Sequence, residues 1–235
     1  MYKHLFFDMD QTLAPARQPI LPEMFDFISS LDQDIIIVSG QEVSKIEIQS
    51  NHLLAYRLGQ NGNHAVDPQG NELWNVPLQP AERAEIMSHI DKLIASLDEA
   101  PNPEWHPIED RGAQITFSPI GNIAPIDLKM SYDPDRIKRE SMMADIPFIS
   151  EHMVVKIGGS TSLDYFHKDR HKGFNVQKLI GLLNWKEEEC IYFGDGLFPG
   201  GNDEAVIGVI ETIPVNDHLH TFKLLQGLLK EGKLG

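Results

Sequence analysis

Two carboxylates near the N-terminus stand where an apolar segment ends in a turn. Asp8 and Asp10 follow the run Leu5–Phe7, and Pro15 comes soon after them. This pattern is typical of a buried strand that enters a loop. In open α/β sheets ligands bind at the carboxyl ends of the strands, so Asp8 could serve as a nucleophile and Asp10 as a general acid and base. The alternative is that both acids only cap the backbone of a turn.

Two further segments place polar groups at the ends of predicted elements. The β-branched run over residues 34–38 ends at Ser39, which would lie at the same sheet edge as Asp8. Lys172 lies at the start of a predicted helix, where an ammonium group is unfavourable against the helix dipole unless an anion is close. Ser39 could also be a helix N-cap, and Lys172 a solvated lysine.

A third segment adds oxygen ligands. The run Cys190–Phe193 ends in Gly194 and Asp195, and a glycine-rich turn leads from there to Asn202 and Asp203. Carboxylate oxygens are preferred ligands of Mg²⁺, and glycines let the backbone approach a bound ligand closely. The segment therefore predicts a metal site, unless it is only a polar turn.

The order of the elements predicts the fold class. Apolar strands alternate with amphipathic helices in residues 1–76 and again in residues 168–235. This order predicts an α/β core with a parallel sheet and helices on both faces. Residues 77–167 have the pattern of an inserted α/β unit, which begins with a helix over Pro80–Leu97 and continues with strands and a second helix.

The inserted segment carries polar residues on its predicted strands. Arg111 precedes the alternating strand Ile115–Ser118, and a further strand is predicted from Val154 to Tyr165. Strand periodicity puts Ser162 and Asp164 on one face, where a hydroxyl beside a carboxylate suits the hydroxyl groups of a sugar. An exposed sheet face without a ligand is the alternative.

The composition excludes several classes of partner. The chain has 20 Lys and Arg against 35 Asp and Glu, a formal charge of −15 that repels nucleic acid and anionic lipid. No apolar run approaches the roughly 20 residues needed to cross a bilayer, and no signal-like segment precedes Asp8. Cys190 is the only cysteine, so no disulfide forms within the chain. We expect a cytoplasmic protein that binds neither nucleic acid nor membrane.

Taken together, these segments resemble the motifs of the haloacid dehalogenase (HAD) superfamily of phosphotransferases. The matching segments are Asp8 with Asp10, then Ser39, then Lys172 with Gly173, then Asp195. The inserted segment resembles the α/β cap of one subclass. Further stretches are similar to the eukaryotic-type phosphomannomutases: Ser118-Pro119-Ile120-Gly121, Gly158-Gly159 with Ser162 and Asp164, and Gly194-Asp195 with Pro199-Gly200-Gly201-Asn202-Asp203.

The resemblance implies a domain organisation. Residues 1–76 and 168–235 would form a Rossmann-like HAD catalytic core, and residues 77–167 a cap that determines substrate specificity. The resembling mutases pair through their caps, so a homodimer through the cap is also expected.

The resemblance also implies catalytic and metal-binding roles. Asp8 would be the aspartyl-phosphate nucleophile, Asp10 the general acid and base, Ser39 a hydrogen-bond donor to the phosphoryl group, and Lys172 the group that neutralises charge. Mg²⁺ would be bound by Asp8, the backbone carbonyl of Asp10 and Asp195, with Asn202 and Asp203 as further residues of the metal site.

A third set of residues is assigned to substrate binding. These residues are Arg17, Asn61, Arg111, Asn122, Lys129, Ser162 and Asp164. The resembling mutases have arginine where this chain has Asn122 and Lys129. Neither side chain can form the bidentate clamp of an arginine on a phosphate, which weakens phosphate binding at these positions.

We therefore predict a Mg²⁺-dependent phosphatase that acts on a sugar phosphate or a similar small phosphorylated metabolite through an aspartyl-phosphate intermediate. The alternative is a phosphomannomutase or related phosphohexomutase, which interconverts sugar 1- and 6-phosphates. A non-catalytic phospho-acceptor or binding protein comes last. Receiver domains also combine an aspartate, a hydroxyl, a lysine and magnesium, but they need no substrate cap.

Overall fold

The computed structural model describes all residues, Met1–Gly235, and divides into two compact units. The first unit comprises Met1–Asn75 and Arg170–Gly235, and the second comprises Val76–Asp169. In chain order the strands and helices are β1 (His4–Asp8), α1 (Pro22–Ser29), β2 (Asp34–Val38), α2 (Val43–Gln49), β3 (Tyr56–Gly59), β4 (His64–Val66), β5 (Glu72–Asn75), α3 (Pro80–Ser96), β6 (Ile108–Asp110), β7 (Gln114–Phe117), α4 (Ile126–Tyr132), α5 (Ile137–Asp145), β8 (Met153–Ile157), β9 (Leu163–His167), α6 (Lys172–Leu183), β10 (Cys190–Gly194), β11 (Glu211–Pro214) and α7 (His218–Lys230). None of the helices is both long and apolar enough to span a bilayer.

The first unit is built on a seven-stranded sheet in the order β11-β10-β1-β2-β3-β4-β5. The five strands from β11 to β3 are parallel, and β4 and β5 are antiparallel. Alternate residues of β1 bury opposite faces of the sheet, since Phe7 packs in the core with residues of α1 and α7, and Phe6 packs with residues of α6. The predicted α/β class with a parallel-dominated sheet is confirmed.

The β4–β5 hairpin is an element that the sequence did not predict. Its two strands span only three and four residues, His64–Val66 and Glu72–Asn75. A period of two cannot be recognised over so few residues, and each strand begins with a polar side chain. The turn-rich segment before them does form a turn, with Gln60 and Asn61 at positive φ.

The second unit is an antiparallel four-stranded sheet in the order β6-β7-β9-β8. One face is apolar and packs on α3, where Ile86, Ile90 and Leu93 contact the core that contains Phe117 and Tyr165. The single strand predicted from Val154 to Tyr165 was wrong, because the chain turns back at residues 158–162 and forms the β8–β9 hairpin. Period-two alternation on both sides of Gly158-Gly159 concealed this turn.

The parallel strands bring the predicted catalytic side chains to one sheet edge. Asp8 ends β1, Ser39 follows β2, and Asp195 follows β10, which are neighbouring strands. The helix α6 begins at Lys172, and Gly173 lies directly against the backbone carbonyl of Ala205, where a Cβ atom would have no room. The glycine therefore lets the start of α6, with Lys172, approach this edge.

Candidate active site

Lys172 lies at the centre of a buried network of charged groups. Its Nζ donates to Asp8 Oδ1 at 2.5 Å and to Asp203 Oδ1 at 2.7 Å. Tyr192 OH donates to the same oxygen of Asp203 at 2.7 Å, and the Gly196 amide donates to Asp203 Oδ2 at 3.1 Å. Asp8, Asp203 and Lys172 are all buried. The anion predicted near Lys172 is therefore supplied at least partly by the protein.

Three carboxylates converge at this point. Asp8, Asp195 and Asp203 each offer an oxygen, and these oxygens lie within 4.8 Å of one another. The Asp195 amide donates to Thr12 Oγ1 at 3.0 Å, a bond that ties the loop after β10 to the loop after β1. Both loops are thus held together at the carboxylate cluster.

Burial changes the protonation of this cluster. Burial raises the pKa of Asp8 to about 8, although the Lys172 ammonium opposes the shift. Burial, together with Asp203, also raises the pKa of Asp195. Burial alone would lower the pKa of Lys172, but the carboxylates of Asp203 and Asp8 outweigh it and the pKa is raised. Lys172 thus stays an ammonium, and the cluster holds more carboxylates than it can neutralise.

These residues fit a divalent cation. Three carboxylates face one ammonium, and hard carboxylate oxygens at short mutual distances are the donor set that Mg²⁺ accepts. Asp203 already accepts hydrogen bonds at both oxygens, from Lys172, Tyr192 and Gly196. Asp8 and Asp195 are consequently the better candidates for direct metal ligands, and Asp203 is the better candidate for positioning Lys172.

Asp10 lies apart from that network, in a hydrogen-bonded frame of its own. Its Oδ1 accepts from the Arg17 amide and from Gln49 Nε2, both at 2.7 Å, and its Oδ2 accepts from Gln41 Nε2 at 3.2 Å. Gln41 Nε2 also donates to Gln49 Oε1 at 2.7 Å. The carboxylate of Asp10 is therefore fixed in orientation. Arg17 contributes its backbone amide to this frame, while the residue itself is exposed.

Ser39 and Asn61 lie on adjacent loops. Ser39 is buried, its Oγ accepts from the Gln41 amide at 3.2 Å, and its carbonyl accepts from the Asn61 amide at 2.8 Å. The carbonyl of Asn61 in turn accepts from Asn175 Nδ2 at 2.9 Å. The Ser39 hydroxyl can still donate its own proton, as the sequence prediction requires.

The glycine-rich segment after β10 is closely packed. A Cβ atom on Gly196 would overlap the side chain of Asn202, and one on Gly194 would lie 2.6 Å from Asp203 Oδ2. Asn202 is exposed, whereas Asp203 is fully buried. Of these two predicted metal-site residues, only Asp203 shares the carboxylate cluster.

In the second unit, polar side chains line the sheet face opposite the apolar core. Asp164 pairs with Thr116 across β7 and β9, and Thr116 Oγ1 donates to Asp164 Oδ1 at 2.9 Å. Ser162 also hydrogen-bonds Asp164, and Arg111 is close enough to lower the pKa of Asp164, which burial raises overall. Gly158 has no space for a Cβ atom beside Ser162 and Asp164. The structure therefore brings Arg111, Ser162 and Asp164 together.

Arg111 also forms an ion pair within this unit, with Glu109 Oε2 at 2.7 Å. Asn122 and Lys129 form a different local group. Asn122 Nδ2 donates to the carbonyl of His106 at 2.9 Å, and Lys129 Nζ donates to the carbonyl of Asn122 at 2.7 Å. Lys129 is buried on α4, although the sequence suggested only a polar stretch there.

Sequence reasoning missed several residues that position the predicted ones. Tyr192 has the pattern of a core residue of an apolar strand, so its hydrogen bond to Asp203 left no signal. Gln41 lies in the loop before α2 and Gln49 ends that helix, so no helical spacing links the two glutamines in the sequence. In the second unit, Arg139 binds the carbonyls of Gly158, Gly159 and Ser162.

Comparison with known proteins identifies the family. A family model described as eukaryotic phosphomannomutase matches residues 24–229. The chain belongs to this family. A probable phosphomannomutase of Caenorhabditis elegans is 28% identical over 250 residues, which cover 97% of this chain and 95% of the relative. The phosphomannomutase of Arabidopsis thaliana is 28% identical over 221 residues, which cover 88% of this chain and 87% of the relative.

A solved structure shows the same fold. A haloacid dehalogenase-like hydrolase from Bacillus subtilis superposes with a TM-score of 0.67 at 12% identity, covering 96% of this chain and 99% of that one. At this identity the likeness concerns the fold alone. With the family match, it makes the chain a phosphomannomutase-like enzyme of the HAD phosphotransferase superfamily.

Proposed function

We propose that the protein is a Mg²⁺-dependent phosphohexomutase that interconverts the 1- and 6-phosphates of a hexose such as mannose. The motifs alone favoured a phosphatase. We now favour a mutase, because the family match covers residues 24–229. The observation that carries the phosphoryl-transfer chemistry is the contact of Lys172 Nζ with Asp8 Oδ1 at 2.5 Å, inside a cluster of three carboxylates.

The proposed reaction begins at Asp8. A carboxylate oxygen of Asp8 attacks the phosphorus of a sugar bisphosphate, the bond from phosphorus to the sugar oxygen breaks, and Asp10 gives its proton to that oxygen. The sugar monophosphate then presents its other hydroxyl, which attacks the aspartyl-phosphate while Asp10 takes up the hydroxyl proton. Asp8 is thereby regenerated, and a sugar bisphosphate is formed again.

The neighbouring side chains support these steps. Lys172 positions the attacking carboxylate and would neutralise negative charge on the phosphoryl group that is transferred to it, and Asp203 and Tyr192 hold Lys172 in place. Gln41 and Gln49 orient Asp10. Bound Mg²⁺, with Asp8 and Asp195 as its carboxylate ligands, would neutralise charge on the phosphoryl oxygens. Ser39 would donate to the same oxygens.

We also propose that the second unit acts as the substrate-specificity cap. The cluster of Arg111, Ser162 and Asp164 supports this role, because it combines a cation, a hydroxyl and a carboxylate on one polar sheet face. Four further residues remain predicted substrate contacts: Arg17, Asn61, Asn122 and Lys129. Asn202 remains a predicted residue of the metal site. A homodimer through the second unit and a cytoplasmic location also stay predictions.

A phosphatase is the second candidate, and one local observation favours it. Asn122 is neutral and hydrogen-bonded to backbone carbonyls, and Lys129 is bonded to Asn122. Charge-assisted bonds, worth about 1.5 to 3 kcal/mol each, are therefore reduced at two positions where a mutase must hold the non-reacting phosphate. Weaker retention would allow water to hydrolyse the aspartyl-phosphate.

Phosphorus NMR separates the two candidates. Mannose 1-phosphate is incubated with the enzyme, Mg²⁺ and a catalytic amount of hexose bisphosphate. We expect the 6-phosphate to appear faster than inorganic phosphate, and only when the bisphosphate is present. Faster release of inorganic phosphate would favour the phosphatase. An Asn122→Arg variant should then move the product ratio towards the 6-phosphate, because it restores a forked cation at this position.

A further inference from the structure

A cavity of about 510 Å³ in the first unit lies outside the carboxylate cluster. It is an open cavity bordered by α2, by β3 and β4, and by the turn that joins β4 to β5. This volume is within the range of small-molecule sites in proteins. The proposed phosphoryl-transfer chemistry uses none of the cavity's side chains.

Arg57 is the unusual group in the cavity wall. It lies on β3, only 5% of the residue is exposed, and its Nε atom is buried without a hydrogen-bond partner. No carboxylate of the chain forms an ion pair with it. A guanidinium group stays protonated at any physiological pH, and a buried charge is normally paired. An acceptor from outside the chain would satisfy this charge.

The shape of the wall keeps the guanidinium accessible from the cavity. Gly70 adopts a φ of +87°, and the position that a Cβ atom would take on it lies 3.6 Å from Arg57 Nη2. A residue with a side chain would be strained in this backbone conformation and would cover the guanidinium. The turn thus passes beside Arg57 without filling the space in front of it.

The charges of the wall determine which ligand suits it. Glu42 and Glu47 of the α2 segment also line the cavity and are partly exposed to solvent, with Lys45 Nζ 3.6 Å from Glu42 and His52 Nδ1 3.4 Å from Glu47. A phosphate dianion would be repelled by these two acids, whereas a carboxylate carries one charge and matches the fork of a guanidinium. Val43 and Val66 add apolar side chains to the cavity wall. The site therefore suits a ligand with a carboxylate at one end and an ammonium at the other.

We propose that this cavity binds a small amino carboxylate, with its carboxylate on Arg57 and its ammonium facing Glu42 and Glu47. Gln60, which also lines the cavity, donates its amide to the carbonyl of Gln41 at 2.7 Å. Gln41 in turn binds Asp10. A ligand here would therefore contact the loop that orients the proposed general acid and base, without occupying the catalytic cluster.

The test is an NMR titration of the full ¹⁵N-labelled chain with each of the common amino acids, and separately with acetate, methylammonium and inorganic phosphate. We expect saturable shifts of the Val66 and Gly70 amides with at least one amino acid, weaker shifts with acetate and none with methylammonium or phosphate. Arg57→Met should weaken binding roughly 10- to 150-fold, the equivalent of one charge-assisted bond. Lys223→Met, which removes an exposed charge of the same unit on α7, away from the cavity, should leave binding unchanged.

Two results would overturn the proposal. Arg57-dependent shifts with phosphate but with no amino acid would mean that the ligand class is wrong. If neither amino acids, acetate nor phosphate shift the Val66 and Gly70 amides of the wild-type protein, the cavity is not a binding site. Because that measurement uses the unaltered chain, it decides the matter even if Arg57→Met fails to fold.

Discussion

Both units bury a basic side chain against a carboxylate, but only one of these clusters is balanced in charge. In the second unit, Arg139 Nε donates to Asp133 Oδ2 at 2.6 Å, and both residues are almost fully buried. The backbone amides of Lys138 and Arg139 donate to the same carboxylate. In the first unit, Lys172 faces three carboxylates.

The difference separates a scaffold from a reaction centre. Arg139 meets one acid and three carbonyl oxygens of the turn 158–162, so its charge is compensated and its donors are used to fix the segment that carries Ser162. The Lys172 cluster has an excess of negative charge, which a bound cation or a proton on Asp8 would remove. We infer that an uncompensated buried charge, rather than burial alone, marks the groups that meet a ligand.

The largest effect is expected at the nucleophile. Asp8→Asn should reduce phosphoryl transfer from both sugar and aryl phosphates by roughly 10⁴- to 10⁶-fold, because an amide is neither a comparable nucleophile nor an anionic metal ligand. Asp32→Asn, which alters an exposed acid of the same unit, is the control. Activity of purified Asp8→Asn within tenfold of wild type would place the nucleophile elsewhere.

Substitution of Lys172 should reduce mainly the activity, whereas substitution of Arg139 should reduce mainly the stability. Lys172→Met should lower kcat of the folded protein by about 10²- to 10³-fold, because it removes a preorganised charge from the reacting carboxylate. Arg139→Met should lower the free energy of unfolding by about 3 to 5 kcal/mol, because it leaves Asp133 buried without its partner. Urea unfolding and steady-state kinetics of both variants measure the contrast.

Two matched variants control this comparison. Lys186→Met and Lys138→Met each remove an exposed cation from the same unit as the residue tested, and both should leave activity and stability near wild type. If Arg139→Met unfolds at the same urea concentration as wild type, or if Lys172→Met loses stability but not activity, the distinction between scaffold and reaction centre is wrong.

The sequence revealed the unbalanced cluster better than the balanced one. Asp8, Ser39 and Asp195 were found because each follows a buried parallel strand, and parallel strands end at one sheet edge. Arg139 gave no such signal, because an arginine on a polar helix is usually solvated. Apart from Asp133, its partners include backbone carbonyls of a turn that was itself predicted as strand. Contacts between a side chain and a distant backbone leave no trace in local periodicity.

The same limit explains the remaining differences. Tyr192 and Gln49 are buried polar residues whose role depends on the residue they meet, Asp203 and Asp10, more than 10 positions away. Arg57 has the pattern of one polar residue in a short strand, and only the packed structure shows that no acid accompanies it. The fold class can be predicted from the pattern of apolar residues along the chain. The hydrogen-bond and ion-pair partners of a buried polar side chain depend on which residues are close to it in three dimensions.

Mg²⁺ binding provides a third test of the comparison between the Lys172 cluster and the Arg139–Asp133 pair. Titration of the metal-free protein should raise its thermal midpoint, with about 2.7 kcal/mol of stabilisation when free Mg²⁺ reaches 100 times its dissociation constant. Asp195→Asn should lose most of this increase, since it removes one direct ligand. The balanced pair has no role in the metal site, so the double variant Asp133→Asn with Arg139→Met should keep the full increase. An equal increase in Asp195→Asn would show that the ion binds elsewhere.

The smallest expected effect is the pH dependence of the balanced pair. Burial of Asp133 would raise the pKa of its carboxyl, but the Arg139 guanidinium and two backbone amides outweigh it and hold the pKa below its ordinary value. A carboxyl whose pKa is depressed in the folded state contributes stability above its unfolded pKa of about 3.9, and this contribution is lost as the pH falls towards the folded pKa. The free energy of unfolding of the wild-type protein should therefore decrease below about pH 5.

In the double variant Asp133→Asn with Arg139→Met, the free energy of unfolding should decrease less steeply with falling pH over the same range. Parallel pH profiles for the two proteins would mean that Asp133 titrates alike in the folded and unfolded chains, and that the pair is not the compensated contact described above.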